Sequence, residues 1–203
     1  MLNWSLMKPS ANHILTTIAL LLLLIVGQAC SFTARSITSN SKAEATPPSN
    51  ENQTQSPLPP PTGFVNDYAN VFDSESKAKL ESALIDLKYK SNIEFAVVTI
   101  ETTGGQPIFD YSLALAKGWG VGPKDTAKGG GLLLLLAKKD RAWRLQVSRS
   151  LEKDLPNEVC KELGDRSLDL YKQGKYAEGL RHYVKLLVER LEKLRGFRLE
   201  REL

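Results

Sequence analysis

GWGVGPKDTAKGGGLLLLLAKKDR, residues 118–141, holds six of the chain's 14 glycines and decides between two kinds of fold. Glycine-rich loops cradle phosphates because bare backbone N–H groups can approach an anion closely. In nucleotide-binding folds the strand comes first, then the glycines, then a helix whose N-terminus faces the anion. Here the order is reversed. The glycines precede the apolar run Leu132 to Ala137, no helix signal follows them, and neither GxGxxG nor GK[ST] is present. The stretch therefore reads as a loop entering a buried strand, and it does not support nucleotide chemistry.

The neighbouring segments carry the same layered pattern. Ile93 to Ile100, IEFAVVTI, is β-branched, aromatic and almost wholly apolar, the mark of a strand covered on both faces. Trp143, Leu145 and Val147 alternate with Arg144, Gln146 and Ser148, so a third strand has one apolar and one polar face. The polar turn Lys138–Arg141 is short enough to make the second and third strands a hairpin. Helices are predicted between and after them. The first is capped at Asp73 or Ser74 and runs to about Lys90, with Leu80, Ala83, Leu84 and Leu87 inward. The second runs from Pro107 to Lys117, the third from Asn157 to about Gln173, and the last from Tyr176 to Leu194. This order predicts an α/β fold: a three-layer α/β/α sandwich around a central mixed sheet.

The first 61 residues fall outside that domain. Lys8, the apolar run Ile14 to Val26 and the small residues Gly27 and Ala29 have the layout of a signal peptide over residues 1–29. Cys30 follows directly. Val26-Gly27-Gln28-Ala29-Cys30 resembles the lipobox of bacterial lipoproteins, with Gly27 where Leu, Val or Ala is usual. Lipidation at Cys30 is the favoured reading; ordinary cleavage, or an uncleaved anchor helix, are the alternatives. All three put the domain outside the cytoplasm, in the periplasm of a Gram-negative cell. Arg35 to Pro61 is rich in Ser, Thr, Asn, Gln and Pro and has almost no large apolar side chains, so residues 30–61 read as a disordered tether with a stiff proline end. The domain is placed at 62–195, and 196–203 as a polar, frayed tail.

Net charge is +4 and the sequence pI about 9.0, but the charges are mixed along the chain, which argues against nucleic acid. Cys160 is the domain's one cysteine, so no disulfide framework forms. It reads as a small apolar helix residue. Cys/His catalysis gains no support, because His182 falls in a helical pattern as a surface position and His13 lies in the signal.

Eight features follow one another in order: Gly63–Ala69 (GFVNDYA), the cap at Ser74, IEFAVVTI, Tyr111, Trp119-Gly120-Val121-Gly122, Gly131 to Arg141, Leu151-Glu152, and Gly174 to Gly179 (GKYAEG). Together they resemble the TPM-domain family. The resemblance spans about residues 63–195. It implies a Rossmann-like α/β/α sandwich outside the cytoplasm, often anchored to a membrane. It also implies either weak acid-phosphatase activity with divalent-cation binding, chiefly calcium, or an accessory role in membrane complexes. This chain departs from the family where a cation would sit. Gly129-Gly130-Gly131 replaces the usual Asp-Asn-Gly, Ser148 to Lys153 (SRSLEK) replaces Gly-x-Gly-Leu-Glu-Gly, and Asn157 stands for an Asp. Calcium wants six to eight hard oxygens, several from carboxylates, and Arg149 and Lys153 would repel it.

Asp67, in the loop expected before the first helix, is the leading candidate ligand, with two readings side by side: a cation ligand, or an Asx-turn satisfying local N–H groups. Glu152 and Asp154 are candidates to converge with it at a sheet edge, and Asp125 to stand in for the lost loop aspartate. Asp140 reads as a polar hairpin tip, and Trp119 and Trp143 as core aromatics. Two functions follow: an accessory or scaffolding module tethered to a membrane and touching membrane-protein complexes, or a weak metal-assisted phosphatase using Asp67 and Glu152. The departures favour the first.

Overall fold

The computed structural model describes residues 55–124, 129–200 and 203; the expected signal segment, Cys30, most of the expected tether and Asp125 lie outside the described residues. In chain order the elements are β1 (Val65–Asp67), α1 (Ser74–Ser91), β2 (Ile93–Ile100), α2 (Ile108–Trp119), β3 (Gly130–Ala137), β4 (Ala142–Val147), α3 (Asn157–Asp165), α4 (Leu168–Lys172) and α5 (Tyr176–Arg195). The strands form one mixed sheet in the order β1-β2-β3-β4. The first three are parallel, and β4 is antiparallel to β3.

The sheet's centre follows from its apolar strands. Alternate residues of β2 and β3 feed two separate cores. Phe95, Val97, Leu132 and Leu134 face α1, α3 and α5, whereas Val98, Leu133 and Leu135 face α2. Each fully buried Leu or Val contributes about 1.5–3 kcal/mol relative to exposure, and this requirement on both faces explains the unbroken apolar runs. The three-layer α/β/α sandwich expected from the sequence is the observed architecture. Both parallel crossovers step the same way across the sheet, yet their helices lie on opposite faces. They are therefore of opposite hand, and one breaks the right-handed rule.

Local chemistry sets the helix ends. Asp73 caps α1, accepting from the Ser76 N–H at 2.8 Å. Asn92 closes that helix in the left-handed region (φ 55°), and Gly120 does the same for α2 (φ 64°).

Four expectations need correction. Val65–Asp67 is a strand rather than part of a loop. The helix expected over 157–173 is broken into α3 and α4. A Cβ on Gly164 would collide with the Trp143 indole, so the chain packs there at close range. Ser167 then turns inward, its Oγ 3.0 Å from His182 Nδ1. That contact also leaves His182 half-buried rather than on the surface. The tail is not frayed over its described residues. Phe197, Leu199 and Leu203 pack on the core, and the Leu199 N–H donates to Glu192 at 2.6 Å. Among the described residues no helix is long and apolar enough to cross a membrane.

Candidate functional site

The connections leaving β1 and β2 diverge to opposite faces of the sheet, so the C-terminal ends of these strands frame a crevice, the usual ligand position in an open α/β sheet. Asp67 stands in that crevice, paired in register with Thr99. Its carboxylate is already engaged. Oδ1 accepts from the Val71 N–H at 3.1 Å and from the Thr99 hydroxyl, and Oδ2 accepts from the Phe72 N–H at 2.9 Å. Thr99 Oγ1 in turn accepts from the Ala69 N–H at 3.2 Å. An ionised carboxylate has about four acceptor positions, and three are spent winding the 68–72 loop over the strand ends. These local bonds are the kind that the Asx-type reading of Asp67 calls for. Farther along the same rim, Asp140 accepts from Thr102 Oγ1 at 2.7 Å, the Thr103 N–H at 2.8 Å and Thr103 Oγ1 at 3.0 Å. The Thr103 backbone N–H, followed by these hydroxyls, holds its carboxyl below the usual carboxylate range. Asp140 is thus a clamp between the hairpin and the loop after β2, and not only a polar tip.

The opposite rim gathers the positions at which the chain departs from the family pattern. Glu94 joins two of its elements. Its Oε1 accepts from Lys88 Nζ at 2.8 Å and its Oε2 from the Gly122 N–H at 2.8 Å. The Gly131 N–H donates to Ser148 Oγ at 2.9 Å, and that hydroxyl lies 3.0 Å from Ser150 Oγ. The glycines have a packing reason. A Cβ at Gly129 would collide with the Asn92 carbonyl oxygen, at Gly130 with the Leu151 side chain, and at Gly131 with the Val121 carbonyl oxygen. An open depression of about 370 Å³ lies beside this rim, over Leu133, Gln146 and Ser148, and Lys117 is the single charged side chain among the described residues lining it. That lining does not suit a cation.

The remaining candidates do not converge with Asp67. Because β4 runs antiparallel, it delivers Glu152 and Asp154 to the glycine rim, beyond the opposite edge strand. Register and strand spacing put Asp67 on the order of 20 Å from Val147 at the end of β4. Asp154 is also spent: its Oδ2 receives Arg195 Nε at 2.7 Å and Nη2 at 2.6 Å, and its carbonyl receives Arg190 Nε at 2.7 Å. Glu152 is exposed. Among the described residues no three His, Cys, Asp or Glu side chains are grouped to hold a metal ion. Cys160 is buried, and desolvation raises its thiol to about 11. Reasoning from the sequence missed Glu81, whose carboxylate caps the outer edge of β1 by accepting from the Phe64 and Val65 N–H groups at 2.8 and 2.7 Å. The available clue was Gly63, where a Cβ would stand 2.7 Å from Glu81 Oε1.

Comparison with known proteins agrees with this architecture. The N-terminal domain of a protein from P. gingivalis, solved by NMR, is 30% identical, with a TM-score of 0.60, and the match covers 70% of this chain and 89% of that one. The BA42 protein from Bizionia argentinensis is 18% identical with a TM-score of 0.51, over 60% of this chain and 82% of that one, and shows the fold alone. No curated protein matches. The TPM-domain family matches residues 65–190, more than half of the chain. The chain therefore belongs to the TPM-domain family.

Proposed function

We propose that this TPM domain works as an accessory binding module, held outside the cytoplasm on a lipid tether at Cys30 and engaging membrane-protein complexes, rather than as a phosphatase. One observation carries the reading. The carboxylates that a cation-assisted hydrolase would need are dispersed over opposite rims, and two of the three described ones are consumed by internal bonds: Asp67 by the 68–72 loop and Asp154 by Arg195. Metal-assisted phosphoryl chemistry needs the ion and the groups it activates within bonding reach of one another. The cysteine after a small-residue site and the proline-rich tether support the anchor.

The test is calcium titration calorimetry on the full chain and on Asp67→Ala, beside turnover of an aryl phosphate with and without the cation. The expected result is no saturable heat and no cation-dependent turnover. Heat that disappears in the variant, accompanied by turnover requiring the cation, would overturn the reading in favour of the phosphatase. Metabolic palmitate labelling decides the tether: the label is expected in the parent and absent from Cys30→Ala, and equal labelling of both refutes it.

A further inference from the structure

A cavity of about 550 Å³ opens on the helix-rich face, at the sheet's C-terminal rim but over β3 and β4, away from Asp67 on the edge strand β1. Its floor is Leu136 and Trp143, from the ends of β3 and β4. One wall is Tyr171, from α4, and Tyr176 closes the far side at the start of α5. The volume lies within the range of small-molecule sites, about 300–1,000 Å³.

Three properties give this cavity a chemical preference. Its walls are aromatic and fixed. Trp143 packs edge-on to Tyr183 at 5.0 Å, and Tyr171 stacks with Tyr176 at 6.4 Å. Tyr171 also lies so close to Gly179 that a Cβ there would collide with its ring. Next, the charges at its mouth are both positive. Arg141 is exposed at the hairpin with its backbone in the left-handed region (φ 51°), and Lys172 is exposed on α4. Lys172 shares a pair with Asp169 at 3.3 Å, but both side chains are largely exposed, and such a pair costs little to exchange. Finally, the Tyr171 hydroxyl is buried and has no hydrogen-bond partner among the described residues. A buried hydroxyl without a partner is destabilising, and a ligand oxygen would satisfy it.

We propose that this cavity binds a carboxylate attached to an apolar or aromatic body, with the body against Trp143 and Tyr176, the carboxylate between Arg141 and Lys172, and the Tyr171 hydroxyl donating to the ligand. A planar carboxylate suits the guanidinium fork of Arg141. The same chemistry has two sources, a free carboxylic acid or the C-terminus of a peptide ending in an apolar residue. This site depends on neither the lipid tether nor the accessory role.

The probes are 3-phenylpropionate, a hexapeptide ending in Phe with a free carboxylate, and the same peptide with a C-terminal amide. Binding to the full chain is read by NMR at the Trp143 indole N–H. Saturable shifts are expected with at least one carboxylate probe and none with the amide; which carboxylate binds more tightly identifies the source. Arg141→Asn, chosen because Asn tolerates the left-handed region, and Lys172→Gln should each weaken binding roughly tenfold, the scale of one charge-assisted hydrogen bond. Tyr171→Phe should raise the melting temperature of the free protein while lowering probe affinity, a split that a purely structural role would not produce. The inference is overturned if neither carboxylate gives saturable shifts, if the amide binds as well as the acid, or if both charge variants bind like the parent.

Discussion

Replacing Asp67 separates a structural carboxylate from a cation ligand. In Asp67→Ala the Val71 and Phe72 N–H groups lose their acceptor, and the Thr99 hydroxyl loses the group to which it donates. A hydrogen bond to a charged group contributes about 1.5–3 kcal/mol. Asp67, Val71 and Phe72 are only half-buried, so water replaces part of each loss. Taking the low end for the two backbone donors gives a destabilisation of about 3 kcal/mol. For a domain of this size, about 3 °C per kcal/mol turns that into a fall of about 10 °C in melting temperature.

Urea and thermal unfolding followed by circular dichroism measure the loss directly. The urea midpoint should fall without a change in slope, since the folded loop and not the unfolded chain is altered. Asp67→Asn keeps one acceptor oxygen and should lose about half as much. The deficit should be the same in chelator and in millimolar calcium, because no term in it involves an ion. A loss below about 1 kcal/mol would refute the clamp. So would calcium raising the melting temperature of the parent but not of the variant, a linkage that only a ligand role produces.

Three further outcomes test other parts of the reasoning. Restoring the family pattern with Gly129→Asp and Gly130→Asn should cost about 3 kcal/mol through overpacking, because the new Cβ at 129 meets the immobile Asn92 carbonyl; a fully stable variant that gained calcium binding in calorimetry would contradict the packing argument. Cys160, with its thiol raised to about 11 by burial, should resist iodoacetamide at neutral pH in the native protein and react once unfolded, as read by mass spectrometry; rapid native labelling would refute its burial. Asp140 has a lowered pKa in the fold, so its clamp is fully present above the ordinary carboxylate range and is lost as pH falls through the lower folded value. The Thr103 amide resonance should titrate in that acidic window and be flat in Asp140→Asn; an unchanged titration in the variant would assign it to another group.

Sequence legibility divided along the range of the interactions. β2 and β3 were readable because burial on both faces leaves no room for a polar residue. β1 was not, since three residues carry no period and the strand is held from outside. Val65 to Asp67 pairs with β2, and its outer N–H groups are capped by Glu81 from the next helix. The split between α3 and α4 was hidden for a similar reason. Its causes, Trp143 against Gly164 and His182 against Ser167, lie 21 and 15 residues away in sequence.

The cation site shows how direction limits what residue types alone can predict. A hairpin was expected after β3, and a hairpin returns the chain to the end of the sheet from which β3 set out. That alone sends Glu152 and Asp154 to the glycine rim, while Asp67, at the C-terminal end of a parallel strand, stays at the other. Their separation is a consequence of topology that any choice of side chains would inherit. The three glycines gain a different meaning from the same geometry. Seen as substitutions for an Asp-Asn pair, they mark a missing ligand set. Seen in contact with Asn92, Leu151 and Val121, they are what lets three segments close on one another, so the rim has been filled by backbone where the family pattern places carboxylates. Among the described residues a carboxylate returned at 129 would meet the Asn92 carbonyl oxygen, a repulsive neighbour at its own Cβ. This is why the restored Asp-Asn pair is expected to cost stability and gain no metal.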